Sequence, residues 1–215
     1  MAFELTSKDY VEYLKKAYVK IHESGDYITE LDAATGDGDH WANINSGFGK
    51  LNEMADELEQ MNLFELFKQI GKTMMSVIGG SSGVLYGSAY LAAAAKTLKE
   101  KETINNEALC GVLAAMLEAI MSRGNAQPGW KTMIDTLYPA VECYKKCIAD
   151  GVSEAETADK VKQAAIDGAE STKGMEAVRG RATYQADKGV GHLDPGAVTM
   201  SYQIEILMDC VKEKL

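Results

Sequence analysis

Apolar residues recur three and four positions apart along most of this chain, the spacing of helices that bury one face. Val11, Leu14, Ala17, Tyr18 and Ile21 mark a first helix, with Thr6 or Ser7 as its cap and Lys15, Lys16, Lys20 and Glu23 on the opposite side. A short segment over 27–34 predicts a second. A third begins at Asp39 or His40 and runs through Ile44, Phe48, Leu51, Met54 and Leu58. Phe64, Phe67, Ile70, Met74 and Val77 mark a fourth, over 63–78, which stops at Gly79-Gly80. Helices over 84–98, from Asn105 or Asn106 to Ser122, and over 132–150 follow, the last distorted at Pro139. Alanines at near-helical spacing predict another over 153–175, and Pro195 opens a final one through Val211. No segment alternates with the period of a strand, so the expected class is all-α, a single domain with about seven or eight helices.

Two interruptions change the picture. Arg123–Lys131 (RGNAQPGWK) is a breaker-rich loop, and between about Lys173 and Asp194 the periodicity fades among glycines and charges of both signs. The second is the longest irregular stretch and therefore the expected lid.

Composition excludes several classes. With 32 acidic and 22 basic side chains the net charge is −10, which argues against nucleic acid or an anionic membrane as partner. No apolar run approaches the ~18 residues a membrane span needs, and the N-terminal stretch has no basic region leading into an apolar core, so a cytoplasmic protein is expected. Cys110, Cys143, Cys147 and Cys210 lack zinc-ribbon spacing and read as reduced, small core residues.

The chemistry concentrates in Leu31–Gly47, LDAATGDGDHWANINSG. Asp32, Asp37 and Asp39 fall within eight residues, and the glycines at 36 and 38 let the chain fold tightly enough to bring the carboxylates to one point. Such crowding suits a hard divalent cation, and Mg²⁺ in particular is usually held by one or two carboxylates together with substrate phosphates and water. A calcium loop starting at Asp37 fails, because its sixth and twelfth positions are Ala42 and Phe48. A dinucleotide fingerprint fails at Trp41, and GKT at 71–73 lacks the earlier glycine of a phosphate loop, position 66 being Leu. The same stretch also reads as a solvated acidic turn with Asp39 capping the next helix and His40 as a cap or a packed imidazole. On the cation reading, the helix-start amides of His40, Trp41, Ala42 and Asn43 face an anionic phosphate. Ser81 and Ser82, in the glycine turn ahead of another helix, offer either a second phosphate seat or an ordinary serine cap.

LDAATGDGDHWANINSGF, GGSSGVLYGSAYL at 79–91, RGNAQPGWKTMIDTLYPA at 123–140 and GRATYQADKGVGHLDPGA at 180–197 resemble, in order, the motifs of the nucleotide-binding L subunit (DhaL) of dihydroxyacetone kinase. That resemblance implies an eight-helix antiparallel barrel with a nucleotide pocket at one end, covered by the segment before the last helix. It implies transfer of a phosphoryl group through bound ADP or ATP and two Mg²⁺ to dihydroxyacetone held on a separate K subunit. It further implies a phosphotransferase-system donor, an M-type protein that rephosphorylates the retained ADP, and is compatible with a homodimer. By position, Asp32, Asp37 and Asp39 would hold the metals. His40, Trp41, Ala42, Asn43, Ser81, Ser82, Gly124, Met133, Arg181, Asp194, Pro195 and Gly196 would contact the nucleotide, with no protein nucleophile. Trp41 and Trp130 depart from the family pattern, which has glycine after GDGDH and GDKT where this chain has Gly129-Trp130-Lys131-Thr132. Two other readings stand beside this one: an L subunit of a split ATP-dependent keto-sugar kinase, of erythrulose type, and a non-catalytic nucleotide-loaded regulatory module.

Overall fold

Thr6 is the cap the pattern predicts: its hydroxyl accepts from the Asp9 amide, and the Asp9 carboxylate accepts in return from the Thr6 amide, so the first helix starts on a closed pair of bonds. In the computed structural model, which describes residues 2–215, α1 (Ser7–Glu23) is followed by α2 (Gly25–Thr35), α3 (His40–Glu53), a four-residue α4 (Ala55–Leu58) and α5 (Leu63–Val77). Then come α6 (Gly80–Thr97), α7 (Asn106–Gly124), α8 (Ile134–Ala149), α9 (Glu154–Ser171) and α10 (Pro195–Lys212). Among the described residues β-type pairing is confined to one isolated antiparallel bridge, Leu5 with Ile104, and the all-α expectation holds.

Boundaries differ from the sequence reading in three places. The third helix breaks at Met54 before α4 resumes; Leu51, Ala55 and Leu58 are all buried, so the break leaves the buried face in phase and the apolar period cannot register it. Helix α6 starts at Gly80 rather than near Val84, so Ser81 and Ser82 lie inside its first turn and neither acts as a cap. Pro139 sits within an unbroken α8.

Most neighbours in space are neighbours in sequence. Helix α5 packs on α6, α6 on α7, α7 on α8, α8 on α9 and α9 on α10; α10 returns to α1, α1 to α3 and α3 to α5, while α2 bridges α3 and α10. The core inside this circuit holds Tyr10, Phe48, Phe67, Tyr86, Tyr90 and Tyr144, each almost wholly removed from water. The aromatic groups meet as edge and tilted pairs, Tyr10 with Tyr13 at 5.0 Å and with Phe67 at 4.5 Å. Tyr144 satisfies its hydroxyl on Asn106 at 2.8 Å and Tyr86 receives a bond from Gln203 at 2.8 Å, so neither phenol is left unpaired. Cys110, Cys147 and Cys210 are buried and Cys143 is partly so, all as free thiols.

Candidate functional site

Helices α3, α6, α8 and α10 begin around one cleft, and α2 and α7 end there. The cleft has a volume of about 560 Å³, within the usual range for a small-molecule site. A helix start carries partial positive charge, so four starts facing one space favour an anion, although the His40 amide is already taken by Asp32, the Ile134 amide by Thr132 and the Ala197 amide by Asp194.

The acidic turn sits at one side of this space. Asp32 lies in the last turn of α2, buried to 8% exposure. A carboxylate there opposes the helix dipole, yet it accepts the His40 amide at 3.0 Å and thereby ties the end of α2 to the start of α3. A side chain at Gly36 would strike the Asp32 carboxylate, and Gly38 turns the chain with φ 76°, so both glycines are required by the geometry. The result brings one oxygen each of Asp32, Asp37 and Asp39 within 4.8 Å of one another. Asp39 does not cap α3: its backbone is helical and its side chain makes no cap bond, leaving the carboxylate to the cleft. Three hard oxygen donors in that span, one nearly buried, fit a divalent cation.

His40 is buried against the floor. Its Nε2 lies 2.9 Å from the Thr199 hydroxyl of α10, which is also within hydrogen-bond reach of the Pro195 and Gly196 carbonyls. Burial holds the imidazole below its ordinary pKa, against the opposing pull of Asp32 and Asp39. The ring is therefore neutral and serves as a wall.

The far wall is apolar: Leu85 of α6, Ile120 of α7, Ala126 and Met133. Gly124 ends α7 beside it, and Asn125 closes the helix in a left-handed conformation with φ 44°. The loop that follows is held by Asp135, whose carboxylate accepts from the amides of Gly129 and Thr132. Gly168 of α9 comes so close to the Asp135 carbonyl that a Cβ there would lie only 2.4 Å from it.

The segment between α9 and α10 lies across the opening. Arg181 pairs with Asp37 at 2.7 Å and approaches Asp39 at 4.0 Å. Gln185 donates to the Ala34 carbonyl at 2.8 Å, and Arg179 donates to the Asn125 carbonyl at 3.1 Å while stacking on Trp130 at 5.3 Å. Asp194 caps α10, accepting the Ala197 amide at 2.7 Å. Burial pushes its carboxyl up to about 7, helped by Asp135 and Asp32 and opposed by the Ala197 amide and Lys131. Its folded pKa thus lies above the unfolded value of 3.8, folding takes up a proton, and stability is expected to fall as pH rises from about 4 to about 7 and to level off beyond. Asp194→Asn keeps the cap and should flatten that slope in denaturant titrations at several pH values; an unchanged slope would assign it to other groups.

Of the residues the sequence singles out, Asp32, Asp37, Asp39, His40, Ser81, Ser82, Gly124, Met133, Arg181, Asp194, Pro195 and Gly196 line this cleft. Trp41, Ala42 and Asn43 do not. Trp41 turns the other way, its indole N–H donating to the Ile21 carbonyl at 3.0 Å and its ring lying against Gly25. Two residues escaped the sequence reading. Asp135 follows Thr132 by three, the spacing of a capping box, and that signal was present. Lys131, buried to 2% exposure on the cleft wall, was marked only by its place in a breaker-rich loop and by the lysine it shares with the family's GDKT.

The DAK2 domain matches residues 34–209. The chain belongs to the L-subunit family of dihydroxyacetone kinase. An ADP-binding subunit DhaL of a PEP-dependent dihydroxyacetone kinase from Listeria innocua is 38% identical over 178 residues, 83% of each chain. The ADP-binding subunit DhaL of the PTS-dependent enzyme of Lactococcus lactis is 35% identical over 207 residues, 96% of this chain and 99% of that one. Among solved structures, the dihydroxyacetone kinase of C. freundii in complex with AMP-PNP and Mg²⁺ superposes with a TM-score of 0.69 at 27% identity. That match covers 93% of this chain and 33% of the other, so this chain spans about a third of that longer kinase. Among the described residues, no helix of this L-family chain is long and apolar enough to cross a membrane.

Proposed function

We propose that this chain is the nucleotide- and Mg²⁺-binding subunit of a dihydroxyacetone kinase, working in the cytosol with a separate K subunit that holds the keto-sugar. The observation that carries the reading is the convergence of four helix starts and three carboxylates on one cleft, an arrangement that suits a metal-bound polyphosphate. The circuit of helix neighbours, from α1 through α3 and α5 to α10 and back, supports the eight-helix barrel.

Asp32, Asp37 and Asp39 would hold the Mg²⁺, two ions on this reading, whose charge would neutralise phosphate oxygens during transfer. The rest of the work belongs to the chain. Ser81 and Ser82, in the first turn of α6, present amides and hydroxyls to the phosphates, and the start of α10 offers the Gly196 amide from the other side, Pro195 having no N–H and the Asp194 amide being held by Thr172. Leu85, Ile120, Gly124 and Met133 form the apolar slot for the base. Arg181 is placed to move from Asp37 onto a phosphate and add positive charge as the group transfers. No side chain is required as nucleophile, since the acceptor hydroxyl comes from the sugar.

The relatives matched along nearly their whole length are PEP- or PTS-dependent ADP-binding subunits, which supports a retained ADP recharged in place by an M-type phosphoryl donor. Denaturing the purified protein and identifying what it releases tests this: ADP with Mg²⁺ is expected. An empty protein that turns over ATP with a K partner would instead make it the L subunit of a split ATP-dependent kinase, and failure to bind either nucleotide would overturn the proposal.

A further inference from the structure

Among the described residues Lys131 is the one lysine on the cleft wall, and its backbone is held at φ 60°, a left-handed conformation that is strained for a residue with a Cβ. Glycine would occupy that position at less cost, so the side chain has to be what the position needs. Its ammonium is buried and directed at two backbone carbonyls, those of Thr172 and His192. Those carbonyls flank the segment between α9 and α10, one at its first residue and one near its last.

Other bonds gather the same two ends. The Gly191 amide donates to the Lys173 carbonyl at 2.8 Å, and the Asp194 amide donates to the Thr172 hydroxyl at 3.0 Å. The segment is therefore a loop whose ends meet at a neck, and Lys131 enters that neck from the separate loop after α7. Gly189, at φ 73°, passes so close to the lysine stem that a Cβ would lie 3.2 Å from Lys131 Cε, so the inside of the loop rests on the same side chain. Arg181 and Gln185 hold the other end of the loop to Asp37 and Ala34. The contacts at that end involve half-exposed groups and are weak individually; Lys131 at the neck is buried, and charge-assisted bonds of that kind are the strong ones.

We propose that Lys131 is a positioning residue that clasps the neck of the loop over 172–194 and thereby sets how long nucleotide stays in the cleft. This rests on the nucleotide-binding reading for the second half of the claim only. Loss of the ammonium takes this donor from the His192 carbonyl, leaves the Thr172 carbonyl with the Met175 amide alone, and frees the loop that carries Arg181 and leads into the Asp194 cap.

Lys131→Met keeps most of the apolar stem and removes the charge. In the nucleotide-free protein, hydrogen–deuterium exchange over 173–193 should speed up about tenfold or more, while α1 and α5 exchange as before. With a fluorescent ADP analogue and Mg²⁺, the dissociation rate should rise by a similar factor, and Lys131→Arg, which keeps donors at the neck, should recover part of it. In the wild-type protein, the Gly191 and Asp194 amides at the neck should exchange more slowly than those of residues 180–186 at the tip, a comparison that survives even if the methionine variant fails to fold. Neck amides exchanging as fast as tip amides, or unchanged loop exchange in a folded Lys131→Met, would overturn the clasp. Faster exchange in a protein that never binds the ADP analogue would keep the clasp and sink the nucleotide-binding reading.

Discussion

Asp37→Asn and Asp39→Asn are each expected to reduce phosphoryl transfer by about 100-fold or more while leaving the helical circular-dichroism signal unchanged. Both carboxylates stand in the cleft, in the turn between α2 and α3, with half-exposed side chains, and neither supports the core. An amide keeps the shape but removes the charge that offsets a divalent cation and its polyphosphate, so affinity for Mg²⁺ falls with activity. Asp37→Asn also weakens the tie to Arg181, but an exposed pair of this kind contributes little to stability. Removing one of three crowded carboxylates relieves repulsion in the metal-free protein, so its melting temperature should stay level or rise. Loss of helix in step with loss of activity would make these residues structural, and full activity would remove the metal from the site.

The second large effect is expected from the chain on its own. Supplied with Mg-ATP and free dihydroxyacetone, it should make essentially no sugar phosphate, at least about 10⁵-fold less than with a matching K subunit at equal concentrations, because the acceptor hydroxyl is not held in line with the phosphorus. Metals and helix starts stabilise charge wherever the phosphate sits, but aligning the acceptor needs a surface that grips the sugar. Coupled-enzyme detection of dihydroxyacetone phosphate with and without K checks this. Rapid turnover by the isolated chain would put the acceptor site within these 215 residues and end the two-subunit reading.

Local signals were the legible ones. The Thr6 cap, the proline opening α10, and the glycines that turn the chain at 36 and 38 act within a few residues, and each is realised where the sequence puts it. Asp32, Asp37 and Asp39 could be paired from spacing alone because the turn that unites them is itself local. What escaped was set by distant partners. Trp41 follows His40 directly in sequence, yet the helix rotates it by about 100° to the α1 side, where the Ile21 carbonyl takes its N–H. The role of Lys131 depends on carbonyls 41 and 61 positions away, which no window along the chain contains. Met54 shows the opposite limit, a backbone break that leaves the buried face in register and hence the hydrophobic pattern unmarked.

The four helix starts around the cleft bear on how such a protein can change over evolutionary time. Their positive potential comes from main-chain amides, which depend little on which side chains the sequence carries, whereas the proposed metal clamp depends on three particular side chains. A descendant that lost Asp37 and Asp39 would lose transfer and still present a seat for phosphates, with Lys131 and the loop above it intact. Catalysis in this architecture is the easily shed property and anion capture the durable one, so gene duplication starts from a scaffold already suited to sensing a nucleotide without consuming it.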